Sequence, residues 1–289
     1  MSSLPRRVLQ ALRRRARQTV DAARTAWSTR QPAFTDAETG ERYHRIYHLH
    51  IRKTAGTSLN TALARIGDLG EERRLRGRGR LVLKGLAPNA PGHVVAVRHD
   101  PDLLNAGHYH LGYSHQALWQ LSLPPSTFRL TVLRDPVRRL TSYYRYLLWT
   151  RRESRRNPER LKRLEPSWRD LLIEAEAMGE VGRESIVTLA ETAPPRHAST
   201  QLWMFSKALD PLEAARKALT CHAILRTESF GNDVRQLADR LGLPIQPCRE
   251  RAYDTASLPA PTADELAHIR TRLAPEYEML DHVDRLRNA

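Results

Sequence analysis

Cysteine is nearly absent from this chain: Cys221 and Cys248 are the only two, and they form neither a disulfide framework nor a C-x-x-C pair. That excludes a small secreted scaffold stapled by bridges and makes a reducing, cytoplasmic setting the expectation. No apolar run approaches the roughly 18 residues that a membrane-spanning helix requires, so no transmembrane anchor is expected. Nothing near the start forms an uninterrupted apolar core ahead of a small-residue cleavage site, which argues against a secretory signal. Aromatics are only 6% of the residues, and no helix-turn-helix, zinc-finger or RNA-binding signature stands out, so nucleic acid is not the expected partner. Lysine is scarce too. Five of the 47 basic residues are Lys and the rest are Arg.

What the chain does have is charge. Its formal net charge is +15 over 289 residues, with an ordinary 40% of hydrophobic residues. Such a surplus favours anionic ligands, polymers or membrane surfaces without choosing among them. The length suits one large domain with a sizeable core. Residues 1–30 hold eight Arg against one acid, Asp21, with apolar residues from Leu4 to Trp27 recurring near a helical period. Small stripe residues favour a solvated, partly helical tail; the alternative is a basic amphipathic helix making peripheral contact with an anionic membrane. Gln31-Pro32 and the polar stretch to Gly40 read as a linker. Residues 1–40 are thus tail and linker, and 41–289 the functional domain.

From His44 the pattern alternates strand and helix. Strands are expected at Arg45 to Ile51, Leu81 to Lys84, Val94 to Val97, Phe128 to Leu133 and Ala223 to Arg226. Helices are expected at Thr57 to Ile66, after Pro136, through much of Trp168 to Leu219, at Phe230 to Leu241, at Asp264 to Leu273 and, briefly, after Pro275. This order implies an α/β, P-loop-like three-layer fold with a central parallel sheet flanked by helices.

Two stretches carry chemistry. In the first, a buried strand runs out through His50-Ile51-Arg52-Lys53-Thr54-Ala55-Gly56-Thr57-Ser58 into a helix. A loop of this kind aims backbone N–H groups and the positive end of a helix dipole at one place, an anion cradle. Gly56 permits close approach, Lys53 adds a cation, and Thr57 and Ser58 add hydroxyls. Lys precedes Gly here, unlike the nucleotide P-loop, in which Lys follows the glycines. The second stretch runs from Leu133 to Tyr144, where Arg134 ends a strand and Ser142 lies about two turns into the next helix. Both can face one ligand in the crevice beyond the strand ends, and Arg suits phosphate by its planar fork. Two anion sites on one sheet imply one ligand with two separate anionic groups.

These two stretches resemble the signatures of sulfotransferases that use 3′-phosphoadenosine 5′-phosphosulfate (PAPS), closest to the carbohydrate-type branch of heparan and chondroitin sulfotransferases and their bacterial relatives. His50 to Ser58 resembles the 5′-phosphosulfate loop, with Arg52 where that family usually has Pro. Leu133 to Tyr144 resembles the 3′-phosphate motif. Weaker echoes at Thr200 to Trp203, Ile224 to Phe230 and Glu276 to Leu280 follow in the family's order. The resemblance implies PAPS as co-substrate, no metal, and an acceptor hydroxyl on a carbohydrate or glycolipid. It gives the 5′ end to Lys53, Thr54, Ala55, Gly56, Thr57 and Ser58, the 3′-phosphate to Arg134 and Ser142, and a loop over the donor to Arg249 to Ser257.

A proton acceptor is sought among Gly107-His108-Tyr109-His110-Leu111-Gly112, which matches a family G-H…G element. His108 is the expected base beside Lys53 as the second catalytic residue; His110 is the reserve, and a Glu base stays open. A metal site of His108, His110 and His115 is disfavoured for want of an acidic partner motif. The basic runs Arg73 to Arg80 and Arg151 to Arg163 read as solvated faces or as a groove for an acidic glycan. The competing functions are a P-loop-type kinase and a non-enzymatic basic nucleic-acid-binding protein.

Overall fold

The computed structural model describes residues 33–64, 75–77, 80–82, 95–107, 109–156, 185–248 and 261–288. The expected tail at 1–30, His108 and the loop Arg249 to Ser257 lie outside the described residues, as do residues 73–74, 78–79 and 157–163 of the two basic runs.

Seven strands form one sheet. In chain order they are β3 (Arg45–Leu49), β4 (Leu75–Gly77), β5 (Arg80–Val82), β6 (Val95–Arg98), β7 (Leu111–Ser114), β8 (Thr127–Leu133) and β9 (Ala223–Arg226); β1 (Phe34–Thr35) and β2 (Arg42–Tyr43) make a separate small hairpin. Across the sheet the order is β4-β5-β6-β7-β3-β8-β9. The five from β6 to β9 run parallel, while β4 and β5 extend the edge antiparallel. All five residues of β3 are buried, as expected for a central parallel strand covered on both faces.

Helices α1 (Gly56–Ala64) and α7 (Phe230–Leu241) cover one face, where Ile46, Leu59, Leu63, Phe128, Leu130, Val132 and Leu237 pack. On the other face Tyr47, Leu49, Val97 and Leu133 meet α2 (Pro101–Ala106), α5 (Thr200–Phe205), α6 (Pro211–Ala218) and α9 (Ala274–Arg287). A third apolar cluster joins α3 (Pro136–Arg156), α4 (Ser185–Thr192) and α8 (Ala263–Arg272). The expected three-layer α/β fold is therefore present, with five parallel strands at its centre.

Three features differ from the sequence-based expectation. The stretch read as a linker reaches into the packed body: Phe34 lies against Tyr43 and Phe128, and the buried Asp36 carboxylate receives Arg240 Nε and Nη2 at 2.6 Å each. That guanidinium holds Asp36 below its ordinary carboxylate range. Strand β7, inserted between β6 and β3, was not legible because four residues centred on Gly112-Tyr113 show no clear alternation. Gly112 is needed there, since a Cβ would stand 2.7 Å from both Leu104 and Tyr109 side chains. The terminal helix α9, expected to be short, has 14 residues.

Candidate active site

Chain order and sheet order part company at β3. The connections from β3 lead to β6 and then β7 on one side, and from β7 across to β8 on the other. The carboxyl ends of β3 and β8 are therefore neighbours at a topological switch point, the crevice in which open α/β sheets bind ligands. Lys53 follows β3 and Arg134 follows β8.

The loop leaving β3 is strained. Lys53 has φ 69° and Ala55 φ 63°, left-handed values that cost a non-glycine residue roughly 1 kcal/mol or more each. Two bonds hold it in place: the buried Thr54 hydroxyl donates to the Ile51 carbonyl (3.0 Å), and Arg134 Nη1 donates to the Lys53 carbonyl (3.0 Å). Gly56 opens α1 for a reason not visible in sequence. A Cβ there would come within 2.0 Å of the His50 ring, which lies under the helix start. The N–H groups of the first turn of α1 have no partner within the helix.

Arg134 is held from three remote segments. Its N–H donates to Gln201 Oε1 (2.8 Å) and its carbonyl accepts from Gln201 Nε2 (3.0 Å), a two-point grip by one side-chain amide. Gln201 is in turn fixed by Glu276 Oε1, which accepts from Gln201 N (2.7 Å) and Leu202 N (3.2 Å). Glu228 Oε1 accepts from the Asp135 N–H (3.1 Å). The three faint sequence echoes thus converge on the end of β8. Asp135 does not serve as a simple ion-pair partner of Arg134: its oxygens take the Arg138 N–H (2.8 Å) at the start of α3 and the Tyr277 hydroxyl (2.8 Å).

Between these elements lies a cavity of about 790 Å³ lined by Lys53, Arg134 and Ser142, and further by Arg138, Thr141, Arg145, Arg270 and Tyr277. Among the described residues five cations face it against one carboxylate, Asp135, already engaged. Arg138, Thr141, Ser142 and Arg145 occupy one face of α3 by their spacing of three and four residues. That spacing was readable in the sequence and would have added Arg138 and Arg145 to the site. Arg270 comes from α8 with no local signal, and Tyr277 comes from α9, within the faint echo at Glu276 to Leu280. Thr54, Ala55, Gly56, Thr57 and Ser58 follow Lys53 but do not line this cavity.

The expected base segment is placed differently from expectation. The Gly107 carbonyl accepts from Arg45 Nε (3.2 Å) and the His110 carbonyl from Ile46 N (2.8 Å), so both stand where β3 begins. Lys53 lies beyond the other end of that strand, roughly 15 Å away at about 3.3 Å per residue. His110 is therefore at the wrong edge for chemistry at Lys53. His108 is outside the described residues.

Histidines do gather at the carboxyl edge. His115, after β7, has its ring 4.4 Å from that of His50, and its Nδ1 lies 2.6 Å from the His50 carbonyl oxygen. His99, after β6, stands 4.9 Å from His115, and His48 stacks at 5.1 Å on His50. Asn60 of α1 bridges His48 Nδ1 (2.6 Å) and His50 Nδ1 (3.2 Å). Burial first, then neighbouring charge including Arg52, pushes His50 and His115 well below the ordinary histidine range. Burial pushes His48 down to about 4. Among the described residues no cluster of His, Cys, Asp or Glu has a metal-holding geometry.

This array is expected to make the fold acid-labile. Between pH 6.5 and about 4 the unfolded chain binds a proton at His48 that the native state refuses. Stability is then expected to fall with falling pH by about 1.4 kcal/mol per unit from this group alone. Melting temperatures at pH 7 and pH 4.5 measure it; equal values would show that the histidine charges freely in the native state.

Compared with known proteins, the chain matches no protein family and no curated sequence. Among the described residues no helix is long and apolar enough to cross a membrane.

Proposed function

We propose that this chain is a PAPS-dependent sulfotransferase that moves a sulfuryl group to an acceptor hydroxyl on a carbohydrate or glycoconjugate. The observation that carries the reading is the shared cavity: Lys53, Arg134 and Ser142, from two motifs more than 75 residues apart, line one cationic pocket of about 790 Å³. That volume suits a nucleotide-sized ligand, and the surplus of cations suits a bis-anionic one.

In this reading Arg134 and Ser142 take the 3′-phosphate, and Lys53 takes the 5′-phosphosulfate. The acceptor oxygen attacks sulfur as the bond from sulfur to the bridging phosphate oxygen breaks; the acceptor's proton passes to a base, and the leaving 5′-phosphate keeps the bonding pair. As in phosphoryl transfer, positioning and charge stabilisation supply most of the rate. Lys53 neutralises the charge growing on the leaving oxygen.

Strand order suggests where the proton goes. Along the carboxyl edge stand His99, His115, the Lys53 loop and Arg134, on strands about 4.8 Å apart. In-line transfer brings the nucleophile from the side opposite the leaving group. With the donor on the Arg134 side, the acceptor approaches from the His115 side, where burial keeps the imidazole neutral at pH 7.

The test is transfer of labelled sulfuryl from PAPS across polysaccharides, glycolipids and small hydroxylated metabolites, with His115→Ala and His108→Ala alongside. Transfer to a glycan, lost in His115→Ala and kept in His108→Ala, is the expected result. The reverse pattern returns the base to His108. No transfer to any acceptor, with ATP raising the melting temperature more than adenosine 3′,5′-bisphosphate, would replace the sulfotransferase by a kinase.

A further inference from the structure

Trp119 is 37% exposed; among the described residues one other large hydrophobic side chain is exposed, Leu286, in the last turn of α9. An exposed indole alone needs no explanation. This one is braced. It sits on a single 3₁₀ turn (Leu118–Gln120), where the Gln120 N–H donates to the Ala117 carbonyl (2.9 Å) and Gln120 Oε1 accepts from the Ala117 N–H (3.0 Å). The Trp119 Nε1–H donates to the Trp203 carbonyl (2.9 Å), and the two rings meet edge to face, 5.6 Å between centroids at 82°. Trp203 packs in turn against the apolar cluster on that face of the sheet. The fold therefore fixes the Trp119 ring before any ligand arrives, which lowers the entropic cost of binding to it.

A cation accompanies the ring. Lys207 Nζ lies 5.9 Å from the Trp119 ring centroid, at the outer reach of a cation–π contact. Lys207 follows α5 on a turn that the buried Ser206 secures: its N–H donates to the Leu202 carbonyl (2.9 Å) and its hydroxyl accepts from the Asp210 N–H (3.1 Å). A flat ring with a negative face beside an ammonium has a definite complement. The C–H face of a sugar ring is apolar and weakly positive, so it stacks on an indole, while a carboxylate or sulfate on that sugar meets the ammonium. A protein partner needs much more, since a stable interface covers about 800 Å² on each side. One held indole suits one flat ring.

Its place in the chain puts this ring near the acceptor side. Trp119 follows His115 by four residues, at most about 14 Å of extended chain. Trp203 lies two residues past Gln201, whose amide brackets Arg134, so α5 braces both the cavity wall and the Trp119 ring. We propose that Trp119 and Lys207 form a sugar-binding site outside the donor cavity, where an anionic sugar unit of the acceptor stacks on the indole while a hydroxyl further along the glycan reaches His115. Neither Trp119 nor Lys207 belongs to a motif read from the sequence, and neither lines the donor cavity. The stacking site stands on its own geometry; that its sugar is an acceptor rests on the sulfotransferase reading.

Calorimetry on the full chain without donor tests the site, using hexasaccharides of galacturonan, alginate and hyaluronan, and the fully methyl-esterified galacturonan hexamer as an uncharged match. At least one acidic hexasaccharide is expected to bind. Trp119→Ala weakens it roughly 10-fold, the worth of one aromatic stacking partner, and Trp119→Phe keeps most of the affinity. Lys207→Gln weakens the acidic hexasaccharide about 3-fold, the worth of one exposed ion pair, and leaves the esterified one unchanged. Circular dichroism checks that Trp119→Ala is folded; if it is not, Trp119→Phe and Lys207→Gln carry the test. No binding of any acidic hexasaccharide overturns the proposal, as does equal affinity in wild type and a folded Trp119→Ala. Tighter, Trp119-dependent binding of a single-stranded oligonucleotide overturns it in favour of nucleic acid. If Trp119-dependent glycan binding is found and no sulfuryl transfer follows, the site stands and the donor reading falls. Transfer to the glycan with an unchanged KM in Trp119→Ala does the reverse.

Discussion

Lys53→Ala is expected to lower sulfuryl-transfer turnover by roughly 10²- to 10³-fold at saturating donor, the usual loss when one pre-placed charge stabiliser is removed from a transition state. The fold is expected to survive. Lys53 is only half-buried, its backbone bonds are made by the carbonyl, and alanine carries the same left-handed strain at φ 69°. Removing one of the cations that line the cavity also relieves repulsion there. Labelled-PAPS transfer and circular dichroism on the same preparation measure both halves. Turnover within a few-fold of wild type, with the fold intact, would strip Lys53 of its catalytic role. Lys53→Arg is not a neutral control, because a planar fork does not reproduce a compact ammonium.

Arg139→Ala is expected to destabilise the protein by about 3–5 kcal/mol, the cost of leaving a buried charge without its partner. Arg139 is fully buried and Glu276 is 1% exposed, with Nε to Oε2 at 3.9 Å. Burial already pushes the Glu276 carboxyl up, with Arg139 as the main opposing influence. Arg139 Nη2 also donates to the carbonyls of His197 (3.0 Å) and Ala198, fixing the turn before α5. The damage reaches the site along a short path, since Glu276 holds Gln201 and Gln201 brackets Arg134. Denaturant unfolding of Arg139→Ala and of Arg139→Met with Glu276→Gln measures the effect. The double variant is expected to recover much of the loss, because it removes both charges together. A single variant as stable as wild type would mean that Glu276 does not depend on this arginine.

The site was legible to different depths in its different parts. Lys53 and Arg134 carried local marks, each standing where a strand gives way to a helix, with Ser142 two turns into the second helix, and all three border one cavity. Thr54 looked like a donor for ligand, but its hydroxyl closes the loop onto Ile51. Gly56 looked like room for a phosphate; in the structure it is room for the His50 ring. Histidine identity suggested a base at His108 or His110, yet nothing in residues 106–115 told which end of β7 would face the ligand. That depends on strand direction in the sheet, and the strand itself was hidden by its shortness. Gln201 and Glu276 were noticed only as faint echoes, since their function is to hold the backbone at Arg134 from 67 and 142 residues away.

Read alone, the amino-acid sequence determined the local units: a buried β-rich run leading through Lys-Thr-Ala-Gly-Thr-Ser into α1, and another leading through Arg-Asp-Pro into α3. Such units follow from near-neighbour chemistry, namely burial on both strand faces, Pro in a first helical turn and N–H groups left over at a helix start. Only the tertiary structure decided that β3 and β8 lie side by side, that β7 slips between β3 and β6, that Arg270 and Tyr277 close the cavity, and that His99 and His115 rather than His110 share an edge with Lys53. These outcomes come from pairing strands and packing helices distant in the chain. They are settled by which arrangement buries both sheet faces and satisfies every backbone bond at once, and no short stretch of sequence carries that information.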